Sequence, residues 1–424
     1  MKDSGIEWIG MIPSTWSRCE IKHYCIDIFP GATPQSTNPD YWDGDINWIP
    51  SGSCHDCRIY TAPKKISQAG YDNSSTKLIP AKTALVAMTG ATCGNTGYLM
   101  IESCANQSVT AFIEDKTRCD SVFLWYILRA AKDHLLTFQS GGAQGGVNVE
   151  NCKNIVVPFV PLDEQRSIAA FLDRKCSEID SVIANTQQTL DEYRKLRKAI
   201  ITKAITKGVR SERVMKDSGS VWFGEIPAEW SMVRLKYMFH IKKDIAGKEG
   251  YTVLSITQRG ITPKNIESNE GQLAADYSKY QLVEPGDFAM NHMDLLTGWV
   301  DISKYDGVTS PDYRVFVLDD EASNKEYYLY MMQMCYFNRI FYGLGQGVSG
   351  MGRWRLQADK FLNFYIAVPP AEEQDEIVEA LKKQLSEMDA LIAAKEQLLI
   401  EMESYKKSVI YEYVTGKKEV PACQ

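Results

Sequence analysis

The chain has 424 residues, 47 Lys+Arg against 54 Asp+Glu, a formal net charge of −7 and a pI near 5.5. That length supports two or more domains with separate cores, while the acidic balance argues against a simple basic nucleic-acid binder, whose pI usually exceeds about 9. No apolar run is long enough to span a bilayer and Met1-Lys2-Asp3 opens no signal-peptide core, so a cytoplasmic protein with no membrane partner is expected. Of its 11 cysteines, nine lie before residue 177; they read as reduced thiols and small core residues rather than a disulfide framework.

The chain opens on Met1-Lys2-Asp3-Ser4-Gly5 followed by Trp8, Gly10, Ile12-Pro13 and Trp16, and this pattern returns as Met215-Lys216-Asp217-Ser218-Gly219 with Trp222, Gly224, Ile226-Pro227 and Trp230. A second matched pair, Pro161-Leu162-Asp163-Glu164-Gln165 and Pro370-Ala371-Glu372-Glu373-Gln374, marks where each copy closes. The offset is 214 at the front and 209 at the back. Residues 17–160 and 231–369, lying between these marks, barely resemble each other, so one duplicated frame carries two different inserts. Each insert is nearly neutral, with 12 Lys+Arg against 13 Asp+Glu in the first and 15 against 16 in the second.

Within the first insert, 84–88, 109–113 and 155–157 are short β-compatible runs bounded by turn residues, and 122–138 reads as helix. In the second, 251–256 and 314–318 read as strands and 325–342 as helix. A glycine-rich loop follows each helical stretch, at 140–146 and 343–347, and such turns are more often simple turns than phosphate cradles.

Two long helices follow the inserts. Residues 162–207 start with Pro161 and Asp163-Glu164 and stop at Lys207-Gly208; residues 371–415 start with Pro370 and Glu372-Glu373 and stop before Gly416. Leu172, Cys176, Ile179, Ile183, Thr186, Leu190, Tyr193, Arg197, Ile200 and Ala204 alternate four and three apart, the spacing of a coiled-coil seam. Adding 209 gives Leu381, Leu385, Met388, Ile392, Lys395, Leu399, Met402, Lys406, Val409 and Tyr413. Charge predicts the orientation. Residues 188–213 carry +5 and 371–403 carry −7, while 162–187 carry −2 and 404–418 carry +3. Only an antiparallel pairing sets opposite signs side by side. This places Arg197 near residue 384, and at 1.5 Å per residue each helix extends roughly 69 Å, about two turns of duplex DNA.

Further along the first insert, Gly31-Ala32-Thr33-Pro34 precedes Tyr41-Trp42-Asp43-Gly44-Asp45-Ile46-Asn47-Trp48-Ile49. Together with Trp8, Ile12-Pro13, Trp16, the glycine-rich loop and the Pro-Leu-Asp-Glu-Gln helix start, this resembles the DNA-specificity subunit of a type I restriction-modification system. The resemblance covers essentially the whole chain. The second insert lacks the Tyr-Trp-Asp-Gly run and has Glu284-Pro285-Gly286-Asp287 instead. The fold implied is α+β: two mixed α/β target-recognition domains separated by two long helices forming an antiparallel coiled coil, with an internal pseudo-two-fold repeat. The corresponding divisions are a first target-recognition domain with its lead-in segment (1–160), a spacer helix and linker (161–214), a second target-recognition domain (215–369), and a second spacer helix with a C-terminal tail (370–424).

The function implied is non-catalytic: each target-recognition domain reads one half of a bipartite, asymmetric sequence in double-stranded DNA, and two methyltransferase subunits dock on the frame, joined by restriction/translocase subunits. S-adenosylmethionine, ATP and Mg are then expected in those partners and not in this chain. The residue inventory fits. Asn38-Pro39-Asp40-Tyr41 resembles the Asn/Asp-Pro-Pro-Tyr motif of adenine methylases, but Asp40 replaces the second proline. There is no Gly-x-x-x-x-Gly-Lys-Ser/Thr loop and no His-Glu-x-x-His or hydrolase triad pattern. Cys54-His55-Asp56-Cys57 has metal-like spacing without a second pair at zinc-site distance.

Base edges call for Arg, Lys, Asn or Gln on loops, and phosphates for Lys, Arg, Ser and Thr. The candidate DNA-binding residues are therefore Gln35, Ser36, Lys64, Lys65, Asn73, Asn95, Gln139 and Gln144 in the first insert. In the second they are Gln258, Arg259, Lys264, Asn265, Asn291, Gln346, Arg353, Trp354 and Arg355. The competing reading is a coiled-coil protein-interaction adaptor with two divergent ligand-binding domains, which the near-neutral inserts favour and the duplicated frame disfavours. A stand-alone DNA-modifying enzyme has no catalytic signature to support it.

Overall fold

The computed structural model describes residues 1–139, 145–265, 276–347 and 354–421. Contacts divide the chain into two units, one of residues 1–187 with 397–424 and the other of residues 188–396. The frame repeats in both. In the first unit Lys2–Asp3 pairs antiparallel with Met11–Ile12, and Ser17–Glu20 pairs with Val156–Phe159, so the insert leaves and rejoins the frame through one ribbon. In the second, Met215–Asp217 pairs with Glu225–Pro227 and Ser231–Arg234 with Tyr365–Val368.

The first insert is built on a five-stranded sheet in the order Cys25–Pro30, Val109–Glu114, Thr83–Ala87, Thr96–Leu99, Cys57–Ile59. Its centre is buried on both faces, as the alternation of a strand requires. Ala84, Val86 and Phe112 pack with the helix Ser121–Ala130, while Leu85, Ala87 and Ala111 face a second cluster with Phe29, Ile49 and Ile59. The second insert repeats the principle on a four-stranded sheet, Phe239–Lys242, Arg314–Leu318, Phe288–Met290, Val300–Ile302. Phe288, Met290 and Phe316 face the helix Lys325–Phe337, and Ala289 and Val315 face a small cluster with Leu254 and Ile256.

The predicted strands at 84–88, 109–113, 155–157 and 314–318 are present within a residue or two. The run 251–256 is strand only from Leu254, Gly250 standing just before it at φ +99°. Each predicted insert helix is broken. Ala131 separates Ser121–Ala130 from Lys132–Leu136, and Arg339, at φ +58°, separates Lys325–Phe337 from Ile340–Gly343. Periodicity does not register such breaks because both pieces keep their apolar faces on one core.

The long helices run Leu162–Lys207 and Ala371–Val414, 46 and 44 residues. Leu172, Cys176, Ile179, Thr186, Leu190, Ala204, Leu381, Leu385 and Val409 are buried along the expected seam. At about 1.5–3 kcal/mol per buried aliphatic side chain, this stripe outweighs the surface charges. Within each unit the helices are antiparallel. Phe171 lies 4.4 Å from Tyr413 and Lys406 pairs with Asp180 in the first. In the second, Arg194 Nη2 donates to Glu396 (2.7 Å) and Arg197 Nε to Asp389 (2.8 Å). The two basic interruptions of the seam are thus answered by two aspartates that are themselves 209 apart. Arg197 meets residue 389 rather than the neighbourhood of 384, because the first turns of Ala371–Val414 lie beside the linker after Lys207: Arg210 pairs with Glu376 at 2.7 Å and Arg213 with Glu373.

The Pro-x-Asp/Glu-Glu-Gln helix starts lock each insert to its helix. Gln165 Oε1 accepts from the backbone N–H of Asp120 and Gln374 Oε1 from that of Asn324, each at 2.9 Å. Asp120 and Asn324 are the N-caps of the two insert helices. Both glutamines are buried, and their amides donate back to Val160 O (2.8 Å) and Pro369 O (3.1 Å).

Removing one member of a buried ion pair strands the other, at about 3–5 kcal/mol, whereas an exposed pair contributes about 0–1 kcal/mol. Glu373 is fully buried and Glu376 is exposed. Arg213→Ala is therefore expected to lower the urea midpoint of the second unit far more than Arg210→Ala. Equal effects would remove Arg213 from its central place. In a second test, Arg197→Asp should destabilise and Arg197→Asp with Asp389→Arg should recover most of the loss, a coupling that a parallel helix pair cannot produce.

Candidate nucleic-acid interface

The Tyr41–Ile49 run builds a small lobe on the first insert. Strand Trp42–Ile49 pairs antiparallel with Lys64–Ile66, and both Trp42 and Ile46 oppose Ile66, so Asp43-Gly44-Asp45 is extruded as a bulge. Asp43 sits at φ +58°, and a Cβ on Gly44 would lie 2.4 Å from Ser67 Cα, a backbone clash that demands glycine. Two indoles pin the Gly31-Ala32-Thr33-Pro34-Gln35 segment to this lobe: Trp48 Nε1 donates to Ala32 O (3.1 Å) and Trp42 Nε1 to Gln35 O (3.3 Å). The rings meet edge to face at 5.2 Å, and the Lys64 ammonium lies 5.6 Å over Trp42.

Exposed Gln35, Ser36, Lys64, Lys65 and Asn73 therefore gather on one lobe, Lys64 and Lys65 facing Trp48 and Asn47 across the ladder. Asn73 caps the short helix Gln68–Asp72, its amide donating to Ala69 O at 2.9 Å. Asn95 and Gln139 belong to a different region. Asn95 Oδ1 accepts from Lys132 Nζ (2.6 Å), and Gln139 Nε2 donates to Gly145 O (2.9 Å). Gln144 lies outside the described residues.

In the second insert Gln258 and Arg259 form the exposed tip of the Leu254–Thr257/Gly260–Pro263 hairpin, with Gln258 Nε2 donating to Thr297 O at 3.1 Å. Lys264 and Asn291 share a cavity of about 620 Å³ with Ser255, Tyr280, Asp312 and Tyr313. Asn265 is exposed just beyond that hairpin. Asn291 also organises its own loop, Oδ1 accepting from Met293 N and Asp294 N at 3.2 and 3.1 Å. Gln346 and Arg355 exchange backbone hydrogen bonds of 2.9 and 3.0 Å. Trp354 is tied back: its Nε1 donates to Tyr342 O (2.8 Å) and its ring packs 5.7 Å from that of Tyr342. Arg353 lies outside the described residues.

Beneath Arg355 the segment is stitched to the sheet. Leu356 N donates to His292 O (3.0 Å), and Arg314 Nη2 donates to Leu356 O (2.8 Å). Arg314 is buried, which pulls its pKa down to about 10. Burial, aided by Arg314 and Arg355, pushes His292 down to about 4, so its ring is neutral near pH 7. Sequence reasoning passed over this pair because a lone His and a strand Arg carry no motif; only the sheet brings them under the candidate loop. The tie residues Gln165 and Gln374, by contrast, were visible as repeats without a role.

In the first insert the equivalent anchoring is to the long helix. Asp173 accepts from Arg58 Nη2 (2.6 Å) and Tyr126 OH (2.9 Å), beside a cleft of about 870 Å³ that Arg129 and Lys406 also line. Cys54, in the metal-like run, is buried in the core, and Cys57 is exposed at the start of an edge strand.

The model of the type I restriction modification DNA specificity domain matches residues 13–192 and, a second time, 227–402. The chain belongs to this family. Among its relatives, the type I restriction enzyme MjaVIII specificity subunit of Methanocaldococcus jannaschii is 28% identical over 324 residues, 73% of this chain and 73% of that protein. A putative MjaX specificity subunit of the same organism is 23% identical over 342 residues, 72% and 70% of the two chains. A solved structure described as the structural basis of complex assembly and conformational transition of the type I R-M system matches with a TM-score of 0.70 at 14% identity. It covers 96% of this chain and 100% of that one, a likeness of fold. Each of the two matches takes in one insert and most of the long helix that follows it, so each repeat is one copy of the domain. Among the described residues no helix is long and apolar enough to cross a membrane.

His292 gives a pH prediction. Its folded pKa lies below the unfolded value of about 6.5, so the unfolded chain takes up the proton first and stability falls as pH drops from about 6.5 towards 4. The stability difference between the wild type and His292→Asn should narrow through that window. Curves that stay parallel would remove His292 as the titrating group.

Proposed function

We propose that this chain is the non-catalytic specificity subunit of a type I restriction-modification complex, reading a bipartite, asymmetric DNA target and docking two methyltransferase subunits. The observation that carries it is one duplicated frame holding two inserts of different sequence and different sheet construction. A molecule that reads the same kind of ligand twice needs the frame conserved and the readers free to diverge.

On this reading residues 17–160 recognise one half-site and residues 231–369 the other, and the long helices set the number of unread base pairs between them. The Gln35/Ser36/Lys64/Lys65/Asn73 lobe is the contact surface of the first insert. The hairpin tip with Gln258 and Arg259, together with Gln346 and Arg355, is that of the second. S-adenosylmethionine, ATP and Mg belong to the partner subunits. The near-neutral charge of the inserts fits recognition that depends on partners for part of the phosphate contact.

Exchanging residues 17–160 for the equivalent insert of another member of the family is expected to change one half of the methylated motif and leave the other intact, read by methylome sequencing. A change in both halves would sink the bipartite reading. At the residue level, a base-reading Arg or Lys replaced by Ala should cost about 1–3 kcal/mol and relax one base position, whereas a phosphate contact should weaken all sequences alike. Fluorescence anisotropy of the complex with single-base variants of the target separates the two for Lys64, Arg259 and Arg355. Unchanged binding for all three would reject these surfaces.

A further inference from the structure

The second insert buries a positive charge that no acid answers. Arg314, the first residue of Arg314–Leu318, is 6% exposed; its Nη2 donates to Leu356 O at 2.8 Å and its guanidinium lies 4.9 Å from the centre of the Phe361 ring. Burial lowers its pKa, and the ionisable side chain acting against that is the phenol of Tyr336, whose OH is itself bonded to Asn291 O at 2.7 Å. Among the described residues neither Arg314 nor Arg355 pairs with a carboxylate. Asp294, two residues past His292, turns its carboxylate to the backbone N–H groups of Leu296 (3.0 Å) and Thr297 (2.8 Å). Both guanidiniums act on His292. Arg355 Nε and His292 Nδ1 are buried without a hydrogen-bond partner. Buried charges are normally paired and buried polar atoms normally bonded; three departures at one place point to a partner outside this chain.

The first insert builds the same corner without charge. Val147 N donates to Met88 O at 2.9 Å, as Leu356 N donates to His292 O at 3.0 Å. Met88 stands two residues beyond Val86, which opposes Thr110 across the ladder; His292 stands two beyond Met290, which opposes Arg314. Two residues after Thr110 and Arg314 come Phe112 and Phe316, each packed in the core beneath its insert helix. Arg314, His292 and Arg355 therefore occupy the places of Thr110, Met88 and Gly146. Three neutral residues, distant in sequence, correspond to three that carry basic groups, and neither guanidinium gains a carboxylate. Because the corner closes without them in one insert, the fold does not require them in the other.

We propose that Arg355, Arg314 and His292 form a seat for one phosphate-class anion, which in the assembled complex is a backbone phosphate of the half-site that the second insert reads. Arg355 and His292 are half-buried and bring the group to the surface, while Arg314 lies beneath. An oxyanion on Arg355 accepts charge-assisted hydrogen bonds. Arg314 adds a second positive charge through a layer that excludes water, where it acts more strongly than across solvent. The seat is independent of what the insert reads; only the duplex as source of the phosphate rests on the proposed function.

The test uses the full chain with its five histidines 13C-labelled at Cε1, the His292 resonance being the one that His292→Asn removes. At pH 7 and constant ionic strength, inorganic phosphate in place of chloride is expected to shift that resonance saturably, half-maximally at about 1–10 mM. Arg355→Gln should weaken the response at least about ten-fold, and Arg314→Thr, which restores the first insert's residue, several-fold. Unmoved resonances of the remaining histidines report that each variant is folded. In the complex with methyltransferase subunits, Arg355→Gln should reduce the salt dependence of duplex binding by about one counter-ion. A full phosphate response with unaltered salt dependence keeps the seat and assigns it to free phosphate. Wild-type binding that ignores DNA sequence would defeat the proposed function while leaving the phosphate response in place. No response up to about 50 mM phosphate, or a response undiminished in Arg355→Gln, would overturn the seat.

Discussion

The antiparallel pairing of the two long helices is the constraint on which each unit depends. Neither helix is a stable object alone: each is largely polar, with one narrow apolar stripe, and a helix of this kind is held chiefly by what its stripe packs on. The stripe supplies the energy and the charges supply the direction. Lys406 with Asp180 in one unit and Arg197 with Asp389 in the other are the same pair written twice. In a parallel arrangement in the register of the repeat, Arg197 and Lys406, which are 209 apart, would face each other as like charges.

Onto this pairing each insert is tied by a buried glutamine, beside the antiparallel ribbon that joins it to the frame and, in the first insert, the contacts of Asp173 with Arg58 and Tyr126. Gln165 and Gln374 join three things at once: the first turn of a long helix, the strand that precedes it, and the cap of the insert helix. A buried amide with all these partners tolerates little displacement, since a lost partner costs about 1–3 kcal/mol. Residues at the helix starts cannot vary without loosening the insert, whereas the Gln258-Arg259 hairpin tip and the Gln346–Arg355 bridge sit outside this knot and carry no part of that anchoring. Family membership rests on two matches along one chain, one to each repeat.

The same frame also shows how duplication leaves unequal ends. In the second repeat the linker after Lys207 runs on into the lead-in hairpin and brings Arg213 to Glu373 and Trp230. In the first repeat the tryptophan and glutamate are retained and the arginine is not.

Sequence by itself determined the duplication, the limits of both long helices to within a residue, the seam, the antiparallel sense and most central strands. These are carried by local chemistry: prolines and acids at helix starts, glycines at the ends, a three-four period, and charge blocks of opposite sign. Tertiary structure alone decided the register that sets Arg197 against Asp389 rather than residue 384. It also decided the breaks at Ala131 and Arg339, and the grouping of Gln35 with Lys64 and Asn73 apart from Asn95 and Gln139. It placed His292 and Arg314 under Arg355, and it committed the Trp354 indole to Tyr342. Each of these depends on which distant backbone atom a side chain reaches. Spacing along the chain records which face a residue occupies; what it meets there is fixed only when the elements pack.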